Sequence, residues 1–101
     1  MKKVFKYEFE FGDYFSVLLP QRSEILTCKQ IDGKWYLWAV VDDDSPWPIE
    51  KRNFRLCGTG HHLAEANYRW ITTEMEVRSA ITFGTEVRSA ITFLWHIFEI
   101  I

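Results

Sequence analysis

The sequence predicts an all-β protein, a small antiparallel sandwich or partly open barrel of about seven strands. Three observations predict it. Apolar and polar residues alternate along short runs, as in Phe5-Lys6-Tyr7-Glu8-Phe9-Glu10-Phe11, which puts every second side chain on one face. Turn-forming residues at Gly12-Asp13, Asp32-Gly33 and Gly58-Thr59-Gly60 separate those runs. No segment sustains the 3.6-residue period of an amphipathic helix. At 101 residues the chain suits one β-rich domain over 1–101.

The elements follow in order. Phe5 to Phe11 reads as a half-buried strand, and Gly12-Asp13 as the turn that pairs it in a hairpin with Tyr14 to Leu19, a run closed by Pro20. Glu24 to Ile31 and Lys34 to Val41 flank Asp32-Gly33, whose tolerance of positive φ suits the type I′ turn of a tight hairpin. A two-residue loop pairs Cys28 with Leu37 and Leu26 with Ala39, so that Leu26, Cys28, Leu37, Ala39 and Val41 form the core face. The other face, with Ile25, Thr27, Lys29, Tyr36, Trp38 and Val40, is aromatic for a solvated surface and suggests a second layer or a partner chain.

Asp42 to Pro48 is a loop by composition, with three aspartates and two prolines. Asn53 to Cys57 alternates again, Gly58 to His62 is a glycine-rich turn, and Tyr68 to Thr73 has the aromatic and β-branched content of a strand. Glu76-Val77-Arg78-Ser79-Ala80-Ile81-Thr82-Phe83 then recurs letter for letter as residues 86–93. Two copies are too few for a solenoid, and a tandem duplication is the plain reading. A three-residue loop at Gly84 to Glu86 pairs Phe83 with Val87, Ile81 with Ser89, Ser79 with Ile91 and Val77 with Phe93, which keeps both apolar sets on one face. The closing run Leu94 to Ile101 is apolar on both faces except at His96 and Glu99, as in a central or interface strand whose edge liability an oligomer would relieve.

Composition excludes several classes. Twelve basic against fourteen acidic residues give a net charge of −2, which argues against nonspecific binding to duplex nucleic acid. Cys28 and Cys57 have neither zinc-ligand nor disulfide-scaffold spacing and read as reduced core thiols. Lys6, Glu8 and Glu10 interrupt any apolar leader, and no run is long enough for a spanning helix, so the expectation is a cytoplasmic protein away from membranes. Cys57, His61, His62 and His96 lack metal-ligand spacing, Asp42 to Asp44 lacks a calcium-loop pattern, and no nucleophile motif is present; no metal, cofactor or catalytic residue is expected.

Several stretches resemble a family of short uncharacterised bacteriophage proteins. They are Lys3-Val4-Phe5-Lys6-Tyr7-Glu8, Leu37-Trp38-Ala39-Val40-Val41-Asp42, Lys51-Arg52-Asn53-Phe54-Arg55-Leu56 with Gly58-Thr59-Gly60-His61, and His96-Ile97-Phe98-Glu99. The resemblance spans nearly the whole chain; the family pattern has proline where this chain has His62, and one copy of the repeat. It implies a phage accessory protein in the host cytoplasm and brings no known activity with it; by analogy, small phage proteins often counter host defences.

The residues themselves nominate a ligand site. Gly58 and Gly60 allow close backbone approach to an anion, with Lys51, Arg52, Arg55 and His61 near in sequence to neutralise or hydrogen-bond phosphate. Trp47, between two prolines, or Tyr36 would stack on a base. The expected function is non-enzymatic sequestration of a small anionic or nucleotide ligand by a homo-oligomer. The alternative is a protein–protein inhibitor of a host defence enzyme that uses the Asp42 to Asp44 loop and the aromatic face.

Overall fold

The computed structural model describes residues 1–44, 46–83 and 86–101, and for residues 79–83 and 86–90 the backbone alone. Seven strands follow one another: β1 (Lys2–Phe9), β2 (Tyr14–Pro20), β3 (Glu24–Ile31), β4 (Lys34–Asp42), β5 (Ile49–Gly58), β6 (Tyr68–Phe83) and β7 (Glu86–Ile100). None of the described residues is helical. The strands form two antiparallel sheets, β1-β4-β3 and β2-β5-β7-β6, packed as a sandwich that does not close into a barrel.

Alternation builds the core. Trp35, Leu37, Ala39 and Val41 of β4 point inward at every second position, opposite Phe54 and Leu56 of β5 and Trp95 and Ile97 of β7. Asp32 and Gly33 have φ of 51° and 80°, the left-handed pair that joins β3 to β4 in a two-residue hairpin. Cys28 and Cys57 are free and buried. No helix among the described residues is long and apolar enough to cross a membrane.

The structure corrects three expected pairings. β1 and β2 are not a hairpin: β1 pairs with β4 and β2 with β5, in different sheets. Gly12 and Asp13 carry the chain across the sandwich, so that Phe9 and Phe15 stack with ring centroids 3.7 Å apart. Joining the sheets in this way buries two aromatic rings that a flat hairpin would leave side by side. Leu26 is not a core residue. Cys28 does pair with Leu37, but the register shifts between Ile25 and Thr27, so Ile25 pairs with Ala39 and packs on the core while Leu26 is exposed. A one-residue bulge exchanges the faces, because side chains alternate with a period of two.

The third correction concerns the repeat. Ile81 pairs with Ser89 as expected, but Phe83 pairs with Glu86, Ser79 with Ala90 and Val77 with Thr92. The expected loop at Gly84 to Glu86 falls partly outside the described residues; Glu86 itself begins β7. The buried end of the hairpin sets the register as far as Ser79↔Ala90, because Trp95, Ile97 and Glu99 must face the core; beyond it the ladder is irregular between Ser79 and Thr82. β7 is central over its second half, between β5 and β6.

Candidate functional site: an arginine–glutamate cleft between the sheets

At the sandwich end where β3, β5 and β6 begin and β7 finishes, a cleft of about 630 Å³ opens between the sheets. Its floor follows from the alternation that builds the core. Arg52 precedes Phe54 by two on the inner face of β5, and Glu99 follows Ile97 by two on the inner face of β7. Where the apolar layer ends, these two positions carry opposite charges. Arg52 Nε donates to Glu99 Oε2 at 2.5 Å and Nη2 to Oε1 at 2.7 Å, the two-point geometry a guanidinium offers a carboxylate. Arg52 Nη1 also donates to the Ser23 carbonyl, which ties β5 to the start of β3.

Glu99 has a second arginine. Arg69 pairs with it across the β6–β7 ladder and donates from Nη2 to Oε1, while its side chain stays about half exposed at the cleft mouth. Burial alone pushes the Glu99 carboxyl up, but the hydrogen bonds and charges of Arg52 and then Arg69 outweigh it and hold the group below its ordinary value. Trp70, exposed, lines the same mouth, with its indole N–H on Thr73 Oγ1 at 3.2 Å. Glu24 and Glu50 add two carboxylates to the lining.

One rim is the turn Pro20–Ser23, closed by Ser23 N–H to the Pro20 carbonyl at 3.2 Å and by Ser23 Oγ to the same oxygen at 2.7 Å. Arg22 sits at its third position with φ of 69°, a conformation that ordinarily selects glycine or asparagine. Its guanidinium lies over the Trp47 ring, 3.7 Å from the centroid. Arg22, Ser23 and Glu24 also border a smaller pocket of about 220 Å³ that Trp47 lines, so the turn stands between two adjoining hollows.

The eight residues expected to bind ligand are therefore dispersed. Arg52 and Trp47 belong to the two hollows on either side of the Arg22 turn. Arg55 projects from β5 on the face opposite Arg52 and is buried. Its guanidinium donates to the carbonyls of Asp13 at 3.1 Å, Leu56 at 2.7 Å and His62 at 2.9 Å, so it straps two loops to the strand. Gly58, Gly60 and His61 lie near that strap, but their polar groups face one another. Gly58 N–H donates to His61 Nδ1 at 3.2 Å, His61 N–H to the Gly58 carbonyl at 3.0 Å, and Thr59 N–H to the Leu94 carbonyl at 3.2 Å. Gly60 has φ of 87°, the conformation the turn requires. Lys51 is exposed on β5. Tyr36 lies on the outer face of β4 under Lys6, whose Nζ is 4.6 Å from its ring centroid.

Arg22, Arg69, Trp70 and Glu99 were not among the residues the sequence nominated for the site. A signal for Glu99 was present: a carboxylate within an apolar strand needs a buried cationic partner. The acidic loop is also engaged. The amino group of Met1 contacts Asp42 at 3.0 Å, Asp43 at 3.5 Å and Asp44 at 2.5 Å, and Lys3 Nζ meets Asp43 at 2.9 Å. Hydrogen bonds to Asp44 and then Asp42 raise the Met1 amine to about 10. His96 bonds Thr59 Oγ1 at 2.8 Å and Thr73 Oγ1 at 3.1 Å, which links β7 to the β5 turn and to β6.

Fold and cleft together define the class: a small two-sheet β-sandwich with a charged cleft between its sheets. The chain belongs to the DUF7352 family, a domain of unknown function, which matches residues 1–100. No curated protein and no solved structure matches the chain.

Proposed function

We propose that the protein is a non-catalytic binding protein that sequesters a small nucleotide-like anion in the cleft between its sheets. The observation that carries the reading is the sharing of Glu99: Arg52 engages it at two points, so Arg69 spends one terminal nitrogen on it and keeps the rest of its donor fork for a ligand at the cleft mouth. The volume suits a small-molecule site. Trp70 offers a stacking face, and Glu24 and Glu50 offer acceptors for the amino groups of a base. Following the resemblance to phage proteins, the ligand is a host nucleotide signal and the role is anti-defence in the host cytoplasm.

Native mass spectrometry after incubation with a cellular nucleotide extract tests this. A discrete small-molecule adduct is expected, absent from an Arg69→Gln variant that melts like the parent. Apo protein at every extract concentration overturns the reading.

A second reading, an inhibitor that docks on a host defence protein, is favoured by a shallow apolar depression of about 450 Å³ on the β1-β4-β3 sheet. Val4, Leu26, Ile31 and Trp38 line it. Capture of one protein from host lysate, lost on Trp38→Glu, would support that reading in place of the first.

A further inference from the structure

The β6–β7 hairpin outruns the sandwich. β5 pairs with β7 only from Gly58↔Trp95 to Asn53↔Ile100, and Thr59 N–H on the Leu94 carbonyl is the next contact outward. On the sandwich side, Gln30 Nε2 on Glu76 Oε2 at 2.5 Å ties β3 to β6. Beyond these points the two strands continue as a two-stranded arm, paired only with each other among the described residues. The arm helps explain a radius of gyration of 16.3 Å and a longest dimension of 57 Å, where a compact chain of this length has a radius near 13 Å. Met75, Val77, Ile91 and Leu94 at its base are exposed.

The arm is made of the repeat, and the repeat pairs with itself. Glu76 faces Phe93 at one end and Glu86 faces Phe83 at the other; Val77 faces Thr92 and Val87 faces Thr82. First position meets eighth and second meets seventh at both ends of the paired repeats; between them the register shifts at Ile81, which faces Ser89. A two-stranded ribbon is marginal in water, and three or more strands are the stable arrangement. Along residues 86–93 the side of β7 that β5 occupies further down carries no strand among the described residues.

We propose that this open edge of β7 is a self-association surface, and that its occupant is the arm of a second copy of this chain. The strand shown to pair with this sequence is the same sequence, and a second copy supplies it. Two arms laid edge to edge make a four-stranded antiparallel ribbon in which every neighbouring pair is repeat against repeat. The assembly closes as a two-fold dimer when β7 meets β7 of the partner. In an antiparallel pair related by a two-fold axis, one residue position lies on the axis and faces its own counterpart. The first-to-eighth register of the hairpin sets Ser79 against Ala90 and would leave no residue on an axis, so the β7–β7 contact is offset from it by one, with Ser89 or Ala90 on the axis. The surface is separate from the Arg52–Glu99 cleft and does not depend on it.

The cysteine substitutions Ser89→Cys and Ala90→Cys, made one at a time, test the inference under mild oxidation, alongside sedimentation of the parent. The expected result is a dimer in sedimentation and a disulfide-linked dimer from one of the two variants well above a Glu8→Cys control on a distant strand. Buried Cys28 and Cys57 contribute little background. Ile91→Lys with Thr92→Lys, which sets like charges along the edge at exposed positions, should give a monomer that melts like the parent. A parent that sediments as a monomer overturns the proposal. So does a dimer that neither cysteine captures and the lysines do not weaken.

Discussion

Arg52 and Glu99 form a largely buried two-point ion pair, Nε to Oε2 at 2.5 Å and Nη2 to Oε1 at 2.7 Å, where the apolar core gives way to the cleft. Their strands are adjacent, and both side chains lie on the inner face of the same sheet. Either charge left alone there would be poorly solvated. Arg52→Ala should cost about 3 kcal/mol of unfolding free energy, because it strands a carboxylate with only Arg69 to answer it. Denaturant unfolding reads this directly, and a loss below about 1 kcal/mol would mean that water replaces the guanidinium.

The same pair gives a pH dependence with a defined sign. The folded Glu99 carboxyl lies below its ordinary value of 4.5, so its stabilisation is fully present above that value and is lost as pH falls through the folded one. The parent should therefore lose stability more steeply than Glu99→Gln as pH drops below about 4.5. Parallel melting curves for the two proteins across that window would remove Glu99 as the cause.

Arg22 holds a positive φ without being glycine. Truncation to Ala keeps the backbone strain and removes the stack on Trp47, whereas Gly removes both. Arg22→Gly should be more stable than Arg22→Ala by about 1 kcal/mol, measured as a difference in chemical denaturation. Equal stabilities would mean that the turn relaxes out of the left-handed region once the arginine is gone.

A Cβ on Gly58 would lie 2.8 Å from the His61 ring and 3.1 Å from the Trp95 ring. Trp95 is buried and cannot retreat, so His61 must give up its bond to the Gly58 N–H. Gly58→Ala should cost about 1–2 kcal/mol and shift the His61 ring resonances in NMR. An unchanged melting temperature would show that the turn accommodates the methyl group.

Burial pushes the Cys28 thiol up to about 12, which leaves almost no thiolate at neutral pH. A thiol reagent at mildly alkaline pH should leave Cys28 unmodified in the folded protein and modify it at once after denaturation. Rapid reaction of Cys28 without denaturant would mean that β3 opens readily.

Much of the fold was legible because it rests on local rules. Alternation in Phe5 to Phe11, and the turn chemistry of Asp32-Gly33 between Glu24 to Ile31 and Lys34 to Val41, specify strands and one hairpin from residues a few positions apart. The sheet assignment of β1 and β2 was not legible. Gly12-Asp13 suits a hairpin and a crossover equally well, and stacking of Phe9 on Phe15 across the core decides between them. Leu26 was misread for a related reason: a bulge leaves no mark in a period-two pattern until the partner strand is known.

The site divides in the same way. The sequence alone determined that arginines, aromatic residues and a glycine turn were available, and that Glu99 stood charged in an apolar strand. Only the tertiary structure decided which of them share a space. Arg52 and Arg55 are three residues apart, and the pleat sends one into the cleft and the other to the opposite face. Arg22, Arg69 and Glu99 are far apart in sequence, and the sandwich brings them to one end of the molecule. Chain proximity sets composition and local conformation, whereas a site between two sheets depends on strand order and facing, which distant residues fix by packing.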